Sequence, residues 1–64
     1  MKEKERLYGV KSYPINDPEN VVYDKVEALP SQRDTIEPYV QGTVANQLEL
    51  TPSEITTQIY LELV

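Results

Sequence analysis

A chain of 64 residues with neither Cys nor His holds one small domain, with no disulfide and without the usual zinc ligands. Its aromatic residues are five Tyr, so a core must come mainly from Leu, Ile, Val and Ala, with Tyr at its margins. The net charge of −5 discourages polyanionic partners, and with the common general base and the thiol nucleophile both missing, no enzyme and no cofactor is expected.

The chain opens on "MKEKERLYG", which has positive charge but no apolar run behind it, so it does not read as a signal peptide. No apolar stretch approaches the roughly 20 residues of a membrane span, and the cytoplasm is the expected compartment. Residues 1–6 are expected to be a solvated, frayed tail. Residues 7–29 read as a β-hairpin. "LYGVKSYPI" and "NVVYDKVEAL" are rich in Val and Tyr, and between them "PINDPEN" gathers turn formers. That loop could be imagined as an oxygen-ligand site for a hard cation, but it lacks the spacing of a calcium loop, so no metal is expected. In the second strand Val22, Val26 and Ala28 share a face with Asp24, an imperfect alternation that suits an edge strand.

Residues 30–64 read as the helical part. Pro30 and Pro38 bracket a polar loop, with Pro38 expected in the first turn of a helix whose apolar side is Val40, Val44 and Leu48. Gly42 weakens that helix by about 1 kcal/mol relative to Ala. Thr51-Pro52-Ser53-Glu54 has the pattern of a capping box with Pro at the first helical position, and Leu50 and Ile55 occupy the positions of a hydrophobic staple. The continuation "TTQIYLELV" is rich in β-branched residues and alternates like a strand. The cap favours a helix. The expected fold is therefore α+β, a single domain 1–64 with a hairpin followed by two helices (ββαα), and the alternative is ββαβ with a C-terminal strand joining the hairpin. At this length a monomer would be stable by only about 3–5 kcal/mol, so self-association or docking on a partner is expected.

The stretch "QGTVANQLELTPSEITTQIY" resembles a helix-turn-helix unit in its apolar skeleton, with Glu49 where that family usually has Gly. The resemblance implies a second helix in the major groove, with Ser53, Thr56, Thr57 and Tyr60 exposed to it. "VVYDKVEALP" followed by "LELTPSEITTQIYLEL" is similar to ribbon-helix-helix repressors, in which the strand reads the groove in a dimer. Here those positions would be Tyr23, Lys25 and Glu27, and the segment between Pro30 and Ser53 is longer than that family's. "VANQLELTPSEIT" is similar to the first helix and loop of acyl carrier proteins, but the Asp-Ser-Leu that would carry the pantetheine arm does not follow, so no carrier function is expected. Two helices joined by a capped turn need apolar residues at these same intervals simply to pack. Residues 31–64 also carry Arg33 alone against Asp34, Glu37, Glu49, Glu54 and Glu62, which leaves little to neutralise phosphate.

The function expected from sequence is thus a small acidic protein-interaction module, a regulator, inhibitor or accessory subunit that docks on a protein, with a homodimer as a further expectation and no membrane partner. The alternative is a dimeric DNA-binding regulator or antitoxin. The expected docking residues are Tyr60, Leu61 and Val64, then Tyr39, with Glu49, Glu54 and Glu62 steering a basic partner or standing in for nucleic acid.

Overall fold

The computed structural model describes residues 3–63. Strand β1 (Arg6–Pro14) and strand β2 (Val22–Ala28) form the hairpin, followed by a single 3-10 turn (Pro30–Gln32) and helix α1 (Arg33–Gln47). A second 3-10 turn (Pro52–Glu54) leads into strand β3 (Ile55–Leu63). The sheet is antiparallel throughout, in the order β2-β1-β3, so β1 is central and both other strands are edges. The fold is therefore the ββαβ arrangement. The two-helix expectation fails at its second helix.

The reason lies in β1. Its even-numbered residues Tyr8, Val10 and Ser12 are fully buried, and a central strand so placed needs backbone partners on both sides. The segment after Glu54 supplies the second one. Its Thr and Ile residues suit a pleated surface, and it pairs from Pro14↔Ile55 to Leu7↔Leu63. The capping signals were right about where a helical turn starts. The Glu54 carboxylate accepts the Thr51 N–H at 2.8 Å and the Thr51 hydroxyl at 3.1 Å, but the turn ends after three residues. Two bonds then fix the strand's origin against the helix, for the Gln41 side-chain amide donates to the carbonyls of Pro52 at 2.6 Å and Ile55 at 3.0 Å.

Helix α1 begins at Arg33, five residues before Pro38, which lies inside it rather than in its first turn. Pro38 is exposed, so the carbonyl it leaves without an amide partner can meet water. The helix packs Ile36, Val40, Val44 and Ala45 on the sheet face that carries Tyr8 and Val10, and Ile55 completes the core. At its C-terminus the Leu50 N–H bonds to the Ala45 carbonyl at 2.8 Å and the Glu49 N–H to the Asn46 carbonyl at 3.3 Å. This is a Schellman ending with Glu49 in the left-handed region at φ 58°. Gly42 has no neighbour within 4 Å of the place a Cβ would take, so it serves no close approach. In the hairpin loop the N–H groups of Asp17 and Asn20 close successive turns onto Pro14 and Asp17. Of the expected frayed tail, residues 1–2 lie outside the described residues, Glu3 accepts from the Ser31 hydroxyl at 2.7 Å, and Arg6 already belongs to β1.

Candidate functional site

One helix covers one face of a three-stranded sheet, and no element packs over the other face among the described residues. Alternation assigns that open face. It receives Tyr23, Lys25 and Glu27 from β2, Leu7, Gly9, Lys11 and Tyr13 from β1, and Thr56 and Gln58 from β3.

Further along β3 the alternation is broken by a bulge. Gly9 pairs with Leu61 and Val10 with Ile59, which leaves Tyr60 as the extra residue. The bulge delivers Tyr60, Leu61 and Leu63 together to the open side. Tyr60 lies across Gly9, with its ring carbon Cζ 3.0 Å from where a Gly9 Cβ would stand, and reaches β2 to meet Tyr23 edge-on at 5.9 Å. Tyr23, Tyr60, Leu61 and Leu63 remain between 42% and 65% exposed, enough to count as a patch rather than as the rim of the core. The charge on this face is two lysines against one glutamate, in a chain that is otherwise strongly acidic.

The expected docking residues fall in different places. Tyr60 and Leu61 are in this patch. Tyr60 also shields Gly9, so its ring has a packing role beside any docking role. Val64 lies outside the described residues. Tyr39 is 69% exposed, but it stands on α1 beside a shallow depression with Asp24, Lys25 and Val26, away from Tyr60. Glu49 is committed to the helix ending and Glu54 to Thr51. Glu62 points to the helix side, where it accepts from Arg6 at 3.2 Å. The three glutamates therefore do not rim the patch. Tyr23 and Leu63 belong to it as well, although the sequence marks Tyr23 only as a groove-reading position of the ribbon-helix-helix resemblance and gives no sign of Leu63. Finding them requires the strand register, which puts positions 23 and 60 side by side across the sheet.

Compared with known protein families, with curated proteins and with solved structures, the chain matches none.

Behind the patch, the buried Tyr8 hydroxyl faces the Glu62 carboxylate across the β1–β3 pairing without a hydrogen bond of good geometry. Burial, and then that carboxylate, push the Tyr8 phenol above the ordinary tyrosine range. The Tyr8 hydroxyl first, and the Arg6 guanidinium after it, hold Glu62 below the ordinary glutamate range against a smaller upward push from burial. The Arg6–Glu62 ion pair, with Tyr8 beneath it, ties the ends of β1 and β3 together. Among the described residues no group of His, Cys, Asp or Glu could hold a metal ion, and no helix is long and apolar enough to cross a membrane. The depression between the hairpin loop and the helix end, lined by Pro14, Asn16, Leu48 and Leu50 among others, is open and of about 270 Å³.

Proposed function

We propose that the protein is a non-catalytic interaction module that docks on a protein partner through the open face of its sheet, as a regulator, inhibitor or accessory subunit. The observation that carries this reading is the cluster of Tyr23, Tyr60, Leu61 and Leu63 on a sheet face left uncovered by the single helix. Two tyrosines and two leucines side by side supply the aromatic and apolar anchors on which interface energies concentrate. Lys11 and Lys25 beside them favour a partner with an apolar centre and an acidic rim, and the acidic helix side of the molecule turns such a partner toward the open face.

The DNA-binding alternative is the weaker one. Both resemblances behind it depend on a second helix where β3 stands. The open face could neutralise about two phosphates, a salt dependence of only about 1.8 log units per decade on duplex DNA. The test is capture from a native lysate on the immobilised chain, set against a Tyr23→Glu, Leu61→Glu variant shown by circular dichroism to be folded. Retention of specific proteins should fall at least about tenfold in the variant. Equal retention by a folded variant would refute the assignment of the face. So would tight retention of mixed DNA fragments by the wild type with no protein captured.

A further inference from the structure

We infer that the β3 edge is a self-association seam, through which two copies pair antiparallel into one six-stranded sheet. The inference rests on the two edges and not on the docking reading.

The edges differ in how they are defended. An exposed strand edge is a row of unpaired N–H and C=O groups that will accept another strand unless charge, proline or an inward-pointing ionisable residue prevents it. Strand β2 has such protection. It carries Lys25, Glu27 and Asp24, and Asp24 points toward the helix side with a carboxylate oxygen that is buried and has no hydrogen-bond partner. A second strand laid along β2 would enclose that carboxylate further. Strand β3 has nine residues, no Pro, no Lys and no Arg, and its single charge, Glu62, is matched within the chain by Arg6. Its exposed apolar residues Tyr60, Leu61 and Leu63 stand along this same undefended edge.

Register follows from the faces. With Tyr60 taken as the bulged residue, pairing centred on Ile59 keeps open-face residues opposite open-face residues: Gln58 against Leu61 of the second copy, and Thr56 against its Leu63. Glu62 then meets the Thr57 hydroxyl of the second copy. Thr57 is already hydrogen-bonded to Ser12 at 3.0 Å and retains acceptor and donor capacity. The two Glu62 side chains lie four rungs apart, about 13 Å, which exceeds the screening length of about 8 Å at physiological salt. The seam is thus free of like-charge contacts although each copy carries −5.

Area sets the strength. Nine residues at about 3.3 Å make an edge about 30 Å long, and a depth of about 10 Å gives roughly 300 Å² per copy. The total of roughly 600 Å² is about half of the smallest standard interface, so the dimer is a weak, reversible one. Its open face would present two copies of the Tyr23–Leu63 patch side by side.

Sedimentation equilibrium of the pure chain across a wide concentration range tests this. The apparent mass should rise from 7.4 kDa toward twice that value. Added salt should strengthen association, because it screens two acidic copies while no ion pair between copies crosses the seam. Leu61→Lys with Leu63→Lys should stay monomeric, and Glu27→Lys on the other edge should dimerise like the wild type. Should the β3 variant fail to fold, amide exchange on the wild type decides: β3 amides slow with concentration while those of β2 do not. A mass of 7.4 kDa at every concentration overturns the inference, as does a dimer that survives in the folded β3 variant. Neither result touches docking, which the lysate capture measures separately.

Discussion

Gly9 is the place where one added methyl group reports on the whole open face. A Cβ there would stand 3.0 Å from Tyr60 Cζ, 3.2 Å from its hydroxyl and 3.1 Å from the Leu61 Cβ. Ordinary carbon contacts are about 3.5–4.0 Å, so each neighbour must give by at least a few tenths of an ångström. The Tyr60 ring can pivot away, but the Leu61 Cβ is fixed to the backbone of β3, and directly opposed Cβ atoms normally stand about 4.5–5.5 Å apart. Overpacking of this kind costs about 1–3 kcal/mol, and replacing glycine within a strand returns about 0.5–1 kcal/mol. Gly9→Ala should therefore destabilise by about 1–2 kcal/mol, a large part of the roughly 3–5 kcal/mol available to a domain this small. Urea denaturation would show a lower midpoint with an unchanged slope, and near-ultraviolet tyrosine dichroism would change as the Tyr60–Tyr23 contact opens. In a Tyr60→Ala background the cost should shrink by at least about 0.5 kcal/mol, the signature of contacting residues. A neutral or stabilising Gly9→Ala would refute the account, and an undiminished cost in the double variant would remove Tyr60 from it.

Glu49→Gly should stabilise by about 1 kcal/mol, because the left-handed position at the end of α1 costs a residue with a Cβ and suits glycine; thermal melting checks it, and a loss would contradict the Schellman ending. Gln41→Leu should destabilise by about 1–2 kcal/mol through the carbonyls of Pro52 and Ile55 it leaves unpaired, and amide exchange at the start of β3 should quicken. The third concerns acid. Glu62 titrates below the ordinary glutamate range in the fold, so its ionised form favours the native state: the contribution is full above that range and is lost as the pH falls through the folded value. The wild type should therefore exceed Glu62→Gln in urea midpoint at neutral pH, with the gap closing in acid; a gap independent of pH would show that Glu62 acts by packing alone.

How far the fold can be read from the sequence depends on whether a decision is local or shared. The hairpin was legible because its turn formers and Val- and Tyr-rich flanks are local signals. The imperfect alternation around Asp24 also marked β2 as an edge. The apolar spacing Val40, Val44, Leu48 located the helix. Its start was misplaced because Pro38 was taken for a first-turn proline, although its exposed side tolerates the missing bond and the chain turns helical at Arg33. Thr51–Glu54 announces a helical turn and forms one. Whether the turn grows is decided by β1, whose buried core residues need a second strand, and by Thr56, Thr57 and Ile59, which suit a strand better than a helix. The candidate site divides in the same way. Tyr60 and Leu61 stood out as surplus apolar surface, but Tyr23 and Leu63 join them only through register and a bulge. Glu49, Glu54 and Glu62 have local partners and do not rim the patch.

The division of the surface follows from the size of the chain. A three-stranded sheet has two faces, and a chain with one 15-residue helix can cover only one of them. The uncovered face could have been made polar, as antiparallel sheets commonly are. Its outer strand β2 largely is, with Lys25 and Glu27 flanking Tyr23. Strand β3 departs from that pattern at its C-terminal half, where the bulge sends Tyr60 and Leu61 consecutively to the side that faces water. Straight alternation would have put one of the two residues on the helix side. The bulge therefore concentrates apolar surface outward at the end of the sheet least shielded by the core, and the same distortion requires a glycine at position 9 to accommodate the ring. The contact of Tyr60 with Gly9 links the proposed interaction surface to the stability of the fold. Substitutions that disturb the bulge should weaken binding and folding together, whereas side-chain changes at Leu61 and Tyr23 that leave their backbone pairing with Gly9 and Lys11 in place should separate the two.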